Sequence, residues 1–343
     1  MPDYQIQKWK TFFHDRGISD YLIVQYLPYI ETLVSNKVPV IFEIEHLSRL
    51  IGVDITQLRK MINSPQHFYR EFSIPKRRGG HRKILAPYPS LLMCQTWIYE
   101  NILKSIPIHS SAHGYVKERS ILSNATIHLK QNALLKVDLK DFFPSISINW
   151  VINLFSSLGY SNNVSYYLAA ICCCDECLPQ GAATSPYLSN ILLVNLDYRL
   201  HKLSSKYHLN YTRYADDLVF SGKYIPHNLI NIISSIIADF GLNVNQAKTS
   251  LIIGNKQKII TGLSVQKNEL QLPRSKKRQI KQEIYYIKKY GLISHISKLK
   301  INKLNYHQSI EGKLRFWLQV EPNNKFALES LNYIHSLQNI LIN

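Results

Sequence analysis

Long apolar runs are missing from this sequence of 343 residues, although 45% of its residues are hydrophobic. No stretch reaches the roughly 20 apolar residues that a membrane-spanning helix needs. The first residues, MPDYQIQKWK, lack the apolar centre of a signal peptide. We therefore expect a cytoplasmic protein with no membrane partner, large enough for two or three subdomains around a sizeable core.

Acidic residues are also scarce, because 23 Asp and Glu stand against 41 Lys and Arg and leave a net charge of +18. Such a charge attracts polyanions, since each phosphate that a protein neutralises releases condensed counterions. Nucleic acid and an acidic membrane surface are both partners of this kind, and the composition favours nucleic acid. The 22 Tyr include candidates for stacking on bases.

Cysteine is rare, and four of the five cysteines lie together in ICCCDECLPQ. Cys174 and Cys177 have the spacing of one pair of zinc ligands. A structural zinc site takes two separated pairs, however, and the sequence offers no second pair. An odd number of cysteines also argues against a disulfide framework. We expect reduced thiols packed at the end of a helix.

Neither an internal repeat nor a linker rich in Gly, Ser or Pro divides the chain, which predicts one continuous folded unit. The N-terminal region has helical spacing of its apolar residues, for example in FEIEHLSRLIGVDITQLRKMI, with a break at Gly52. Two short helices around a glycine are typical of a DNA-reading helix-turn-helix or, more commonly, of a helical pair that packs on the core or cradles RNA.

The segment IPKRRGGHRKILAP predicts a β-hairpin, because Gly79-Gly80 favours a tight turn between two apolar runs. Basic side chains surround this turn at Lys76, Arg77, Arg78, Arg82 and Lys83. Such a tip suits phosphate binding, and a solvated basic loop explains the same residues.

Adjacent carboxylates in YTRYADDLVFSG are the sharpest feature of the sequence. The aromatic and β-branched flanks predict a strand, a tight turn and a second strand. A further apolar strand, LLKVD, ends at Asp138. Neighbouring acids in apolar surroundings repel each other unless a cation neutralises them. If the strands are neighbours, Asp138, Asp216 and Asp217 converge as ligands for two Mg²⁺ ions, an arrangement that serves phosphoryl transfer.

In their order, the motifs resemble those of reverse transcriptases, and within them the bacterial retron type. The resemblance covers about residues 73 to 320 and is carried by IPKRRGGHRKI, SSAHGYVKERSI, LLKVDLKDFFPSI, LPQGAATSPYLSN, YTRYADDLVFSG, GLNVNQAKT and KIITGLSV. It implies an α+β fold of the right-hand polymerase type. The expected regions are an N-terminal helical region at 1–65, fingers with part of the palm at 66–135, a palm with an antiparallel sheet and a fingers insertion at 136–265, and a helical thumb and C-terminal region at 266–343.

The resemblance also implies roles for individual residues. Asp138, Asp216 and Asp217 would be the catalytic metal ligands, with the carbonyl of Leu139 as a further ligand. The implied nucleotide-binding residues are Lys76 and Arg82 at the triphosphate, Phe143 as a steric gate against a ribose 2′-hydroxyl, Gln180 and Gly181 in a positioning turn, and Lys248 near the pyrophosphate. Ala183 stands where the family usually has Pro, and we expect this change to relax the loop without removing a chemical group.

Two short elements match retrons in particular. NATIH fits their Asn-Ala-x-x-His element, and ITG resembles their Val-Thr-Gly triplet with Ile for Val. The resemblance implies RNA contacts at Asn124, His128, Thr261 and Gly262. From the residues alone, His128 is an ordinary buried histidine and Thr261-Gly262 a strand end.

Other charged residues give further expectations. Arg274, Lys276, Lys277 and Arg278 offer a basic thumb surface that would bind RNA and track a duplex. We expect Asp141 to be a helix cap or a partner of the metal site. Asp197 and Arg199 are expected to form a surface or packing pair.

The implied function is an RNA-directed DNA polymerase that uses dNTPs. A structured non-coding RNA would be both template and primer, with synthesis from the 2′-hydroxyl of a guanosine. The product would be a branched RNA–DNA, msDNA, in an anti-phage system with a separate effector protein. Other defence-associated reverse transcriptases share the motifs with different priming. A non-catalytic RNA-binding scaffold is the alternative from another class, and the intact acids beside Phe143 and Gln180 argue against it.

Overall fold

Helices form the N-terminal part of the protein, whose computed structural model describes residues 2–76, 79–298 and 305–342. The helices are α1 (Pro2–Asp15), α2 (Asp20–Ser35), α3 (Ile44–Ile51) and α4 (Ile55–Asn63). Gly52 ends α3 in the left-handed conformation, at φ +80°. Asp54 caps α4 by accepting from the backbone N–H groups of Thr56 and Gln57. The predicted helical region is confirmed, and α3 and α4 pack into the main core through Leu47 and Leu58.

A basic hairpin follows, formed by β1 (Tyr69–Pro75) and β2 (His81–Pro87). Its antiparallel register runs from Tyr69 opposite Pro87 to Pro75 opposite His81. The hairpin confirms the prediction from Gly79-Gly80, which both have positive φ. Of the five basic residues expected at the tip, Arg77 and Arg78 lie outside the described residues.

Most of the middle of the chain is helical and surrounds one central strand. The elements after the hairpin are, in chain order, α5 (Pro89–Asn101), α6 (Ile121–Thr126), β3 (Ala133–Asp138), α7 (Ile148–Ser157), α8 (Asn162–Cys172), α9 (Ser185–Leu192) and α10 (Val194–Lys206). Cys172 is the last residue of α8, and Cys173 and Cys174 follow it, all three buried. The predicted position of the cysteines at a helix end is therefore confirmed.

A four-stranded antiparallel sheet is the scaffold for the acidic residues. β4 (Asn210–Tyr214) and β5 (Asp217–Gly222) form a hairpin, and β6 (Ser250–Ile253) comes after the helix α11 (Leu229–Asp239). The strand order is β4-β5-β3-β6, so β3 pairs with β5 on one side and β6 on the other. The predicted strand, turn and strand around Ala-Asp-Asp are confirmed.

The C-terminal part is a small ribbon followed by helices. The ribbon consists of β7 (Ile259–Ile260) and β8 (Leu263–Ser264), and the helices are α12 (Arg274–Tyr290), α13 (Leu292–Lys298), α14 (Tyr306–Val320) and α15 (Lys325–Ile342). Across the described residues, none of the helices combines the length and apolarity needed to cross a membrane.

Two hydrophobic cores lie on opposite faces of the four-stranded sheet. Successive residues of a strand point to opposite faces, and here Leu135 belongs to the main core whereas Leu134 belongs to the core of the C-terminal helices. Phe220 and Val219 divide between the two cores in the same way. The sheet is thus covered on both faces, which fixes the end of β3 relative to the rest of the molecule.

Candidate active site

The three acids lie at one end of the central strands. β3 ends at Asp138, which is directly opposite Asp217 in the register of β3 and β5. The turn between β4 and β5 consists of Ala215 and Asp216, and Ala215 adopts φ +56° to close it. The backbone N–H of Leu139 donates to the carbonyl of Asp216 at 3.0 Å. Strand pairing therefore holds the three acidic residues together.

Asp138 already has a cation beside it. The ammonium of Lys248 lies 2.9 Å from both carboxylate oxygens of Asp138. Asn245 donates to the same carboxylate at 3.0 Å, and its backbone N–H donates to the carbonyl of Asp138 at 2.7 Å. The segment after α11 thus fixes both the side chain and the backbone at the end of β3.

The three carboxylates lie at one end of the sheet without forming a closed group of metal ligands. Among residues 2–76, 79–298 and 305–342, no three His, Cys, Asp or Glu side chains are arranged to hold a metal ion. Asp216 lies in the turn and Asp217 starts a strand, so their side chains leave the backbone in different directions. Magnesium tolerates this, because it takes one or two carboxylates and completes its shell with waters and substrate phosphates.

The electrostatics of the site favour a bound cation. Burial, followed by the charges of Asp217 and Asp138, raises the pKa of Asp216 to about 6. Burial also raises the pKa of Asp217, although Lys136 opposes the shift. The negative charge of the three carboxylates is only partly neutralised by the protein, through the ammonium of Lys248 beside Asp138. The donor set therefore fits a hard divalent cation.

Asp138 and Asp216 open into a cleft of about 650 Å³, whose lining does not include Asp217. The cleft brings together most of the residues predicted for metal and nucleotide binding: Lys76, Arg82, Asp138, Leu139, Phe143, Gln180, Asp216 and Lys248. Asp141 also lines the cleft, where it adopts φ +46° in a turn. The prediction of a helix cap at Asp141 is wrong, since the next helix, α7, has Ser147 as its N-cap.

The hairpin of β1 and β2 contacts the turn at Gln180. The N–H of Leu85 donates to the carbonyl of Gln180 at 2.9 Å. Gly181 adopts φ +125°, and a Cβ at this position would lie 2.6 Å from the carbonyl oxygen of Leu85. Only glycine allows this close approach of two backbones.

Comparison with known proteins gives a consistent result. The family profile described as "Reverse transcriptase (RNA-dependent DNA polymerase)" matches residues 74–287. The Ec86 retron reverse transcriptase of Escherichia coli is 35% identical over 304 residues, which are 88% of this chain and 91% of that protein. The Mx162 retron reverse transcriptase of Myxococcus xanthus is 31% identical over 71% of this chain and 59% of that protein. A solved structure of apo telomerase from Candida tropicalis matches 78% of this chain and 57% of that one, with a TM-score of 0.46 and 14% identity. It adds nothing to the matches above.

This chain belongs to the retron reverse transcriptases. It is therefore an RNA-directed DNA polymerase with the mixed α and β polymerase fold that the motifs predicted. Enzymes of this family depend on a divalent metal ion, and their partners are nucleic acids.

A buried ion pair lies next to the turn at Ala215 and Asp216 of the reverse transcriptase. Arg213, two residues before Ala215, is fully buried and donates to both oxygens of Asp197, at 2.8 and 2.6 Å. Tyr211 donates to the same carboxylate at 2.8 Å. The predicted pair of Asp197 and Arg199 is wrong, because Arg199 is exposed and pairs with Asp239.

Arg213 was not predicted as a structural residue. Its signal was a charged residue between Thr212 and Tyr214 inside the predicted strand YTRY, because every second side chain of a strand points to the same face and can be buried. A buried arginine requires a carboxylate partner, and Asp197 on α10 supplies it across 16 residues of sequence.

The reverse transcriptase buries two of the residues predicted to contact RNA. Asn124 and His128 are both inaccessible to solvent. The ring nitrogens of His128 bond to the hydroxyls of Ser221 at 2.6 Å and Thr212 at 2.7 Å, and burial lowers the pKa of His128 to about 3. The prediction of direct RNA contact by Asn124 and His128 is wrong in this conformation. The interpretation of His128 from the residues alone, as a buried histidine, is the correct one.

The remaining RNA-binding candidates lie around the start of the thumb helix. Thr261 adopts φ +45° between β7 and β8 and donates to the carbonyl of Ile121 at 3.2 Å. A Cβ at Gly262 would lie 3.2 Å from the ammonium of Lys276. Lys277 is ion-paired with Glu321 at 2.7 Å, whereas Arg274 and Arg278 are exposed. RNA contacts at these positions stay predictions.

Proposed function

We propose that this retron reverse transcriptase copies a structured non-coding RNA that serves as both template and primer. Synthesis starts at the 2′-hydroxyl of a guanosine and gives a branched RNA–DNA, msDNA. The protein acts in the cytoplasm in anti-phage defence, together with a separate effector protein. The observation that carries the proposal is the cleft in which basic residues of the hairpin face Asp138 and Asp216, in a chain that is similar to retron enzymes over most of its length.

Asp138, Asp216 and Asp217, with the carbonyl of Leu139, are the proposed ligands of two Mg²⁺ ions. When bound, the ions lower the pKa of the priming hydroxyl and neutralise the triphosphate. The raised pKa of Asp216 supports the assignment, because a buried acid with this neighbourhood is stabilised by a cation. Lys248 holds Asp138 in place and is the proposed contact with the pyrophosphate.

The proposed nucleotide site occupies the rest of the cleft. Lys76 and Arg82 bind the triphosphate from the hairpin, and Gln180 in the cleft lining, with the adjacent Gly181, positions the nucleotide. Phe143 is 8% exposed and its ring is the steric gate that rejects a ribose 2′-hydroxyl. Positioning and charge neutralisation of this kind supply most of the catalysis in phosphoryl transfer.

The proposed RNA surface consists of Thr261 and Gly262 with basic residues of α12. The exposed Arg274 and Arg278 and the partly buried Lys276 neutralise phosphates without reading sequence. We propose the subdomain boundaries given above: an N-terminal helical region at 1–65, fingers at 66–135, palm at 136–265 and thumb with the C-terminal region at 266–343.

The test is to express the protein with its native flanking DNA and to isolate the nucleic acid bound to it. The isolate is treated with RNase and with a debranching enzyme, separated on a denaturing gel and sequenced. We expect a short DNA that is linked to RNA until debranched. Unbranched DNA would indicate a relative with a different primer, and bound RNA without DNA would favour the scaffold alternative.

Asp216→Asn is the matched control for that experiment. It removes a metal ligand and leaves the basic surface intact, so we expect no DNA and nearly unchanged RNA binding. Full-rate synthesis by Asp216→Asn would contradict the assignment of the metal site.

A further inference from the structure

Gln95 is a fully buried glutamine in the middle of α5. Glutamine is seldom found in this environment, because its amide must find partners there. The Nε2 group of Gln95 donates to the hydroxyl of Tyr69 at 2.7 Å and to the carbonyl of Ile171 at 3.0 Å. Its Oε1 accepts from the backbone N–H of Ala183 at 3.1 Å. One side chain thus joins β1, α8 and the loop that contains Gln180.

The bond to Ala183 holds one side of this loop. The other side is held by β2, through the N–H of Leu85 and the carbonyl of Gln180. Gly181 and Ala183 are exposed, whereas Ala182 between them packs into the main core. The two hydrogen bonds and the buried Ala182 together fix the loop between residues 180 and 183 at the edge of the cleft.

We propose that Gln95 is a positioning residue for the incoming nucleotide, acting through the N–H of Ala183. The inference rests on the proposed assignment of Gln180 and Gly181 to the nucleotide site. It also changes the interpretation of Ala183. A proline at this position would have no N–H to donate. Alanine therefore adds a hydrogen-bond donor, and its bond to the buried Gln95 would hold the loop in place, where we had expected the loop to relax.

The proposal is tested by steady-state kinetics on poly(rA) primed with oligo(dT), with dTTP as the varied substrate. Gln95→Leu leaves the Ala183 N–H without its acceptor, and Ala183→Pro leaves Gln95 Oε1 without its donor. We expect each variant to raise KM for dTTP by about three- to tenfold and to change kcat by less than about twofold. The double variant should return to within about twofold of the wild-type KM, because both partners of the bond are then absent.

Tyr69→Phe is the control for a purely structural role. It removes another hydrogen bond of Gln95 and leaves the bond to Ala183 in place. We expect Tyr69→Phe to lower Tm without changing KM for dTTP. A rise in KM equal to that of Gln95→Leu, or a double variant as impaired as the two single variants combined, would overturn the proposal. Ala183→Pro changes an exposed loop residue and keeps the test decisive if Gln95→Leu does not fold.

Gln180→Ala separates this inference from the proposed nucleotide site. A raised KM in Gln180→Ala, with Gln95→Leu and Ala183→Pro at the wild-type value, would leave the site assignment standing and reject the role of Gln95. An unchanged KM in Gln180→Ala would reject both the nucleotide-binding role of Gln180 and the positioning role of Gln95.

Discussion

Asp216 carries a large electrostatic cost in the folded protein. Its carboxyl is mostly buried, and Asp217 and Asp138 lie next to it, so its pKa is about 6 where an ordinary aspartate has 3.8. At neutral pH the charged form is therefore less favourable in the fold than in the unfolded chain. A cation at the site removes this cost, which ties metal binding to the stability of the protein.

Asp216→Asn should stabilise the metal-free protein above pH 6. Because the folded-state pKa of Asp216 lies above the unfolded value, the contribution of this carboxyl to stability is fully present below about pH 4. It is lost as the pH rises to 6. We expect the variant to gain about 1–3 kcal/mol over wild type at pH 7.5, measured by denaturant unfolding in chelator. The gain should vanish near pH 4, and a gain independent of pH would contradict the raised pKa.

Phe143→Ala should let the enzyme incorporate rNTPs. The ring lines the cleft and is the proposed contact with the sugar, so its removal opens space for a 2′-hydroxyl. A competition assay with dNTP and rNTP measures the ratio of the two kcat/KM values, and we expect it to fall at least tenfold, about 1.4 kcal/mol. Phe142→Ala is the matched control: Phe142 also lines the cleft, with its ring centroid 5.1 Å from that of Phe143, and removing this equal volume should preserve the ratio.

At the scale of elements, the hairpin of β1 and β2 contacts the turn at Gln180 and Gly181 where it lies over the cleft. The backbone of β2 approaches Gly181 too closely for any side chain. The basic residues Lys76 and Arg82 are carried by this hairpin, so its contact with the turn sets their distance from the acids at the end of β3.

Gly181→Ala should separate the hairpin from the turn. The new Cβ would lie 2.6 Å from the Leu85 carbonyl, and neither backbone can move cheaply. We expect a loss of about 1–3 kcal/mol in unfolding free energy and a marked rise in KM for dNTP. Gly241→Ala has a positive φ as well, +69°, but open space around it. It should cost stability alone, and an equal effect of both variants on KM would refute the coupling.

The whole molecule combines a high positive charge with a sheet covered on both faces. Its net charge of +18 supplies attraction for nucleic acid at long range. Cations already engaged in ion pairs contribute less to this attraction than free ones. Helix α12 carries a paired and an exposed cation next to each other: Lys277 forms an ion pair with Glu321, whereas Arg278 is exposed.

Arg278→Gln should weaken binding of an RNA–DNA hybrid duplex and reduce its salt dependence. Each phosphate that the protein no longer neutralises lowers the slope of log Kd against log salt by about 1. Lys277→Gln is the matched control and should change the slope by less, since Glu321 neutralises this lysine. Kd values measured between about 50 and 200 mM salt by fluorescence anisotropy give the slopes. Equal slopes for wild type and Arg278→Gln would exclude phosphate binding by Arg278.

How far the sequence predicts this structure depends on how local each feature is. The hairpin at Gly79-Gly80 and the turn at Ala215-Asp216 follow from adjacent residues, and both were predicted. Gln95 with Ala183 pairs across 88 residues, and no local pattern marks such a bond. The Lys248 contact with Asp138 was missed for the same reason: it forms only when α11 and β6 have packed.

The central position of β3 has a consequence for biosynthesis. Asp138 leaves the ribosome well before β5 and β6, the two strands that flank it in the sheet. At about 5–20 residues per second, translation from Asp138 to Ile253 takes roughly 6 to 25 seconds. During this interval β3 is an apolar strand with at least one unpaired edge, which makes the nascent chain prone to aggregation and a substrate for chaperones. A nascent chain therefore has no active site until nearly three quarters of it has been made, so prematurely terminated products should lack polymerase activity.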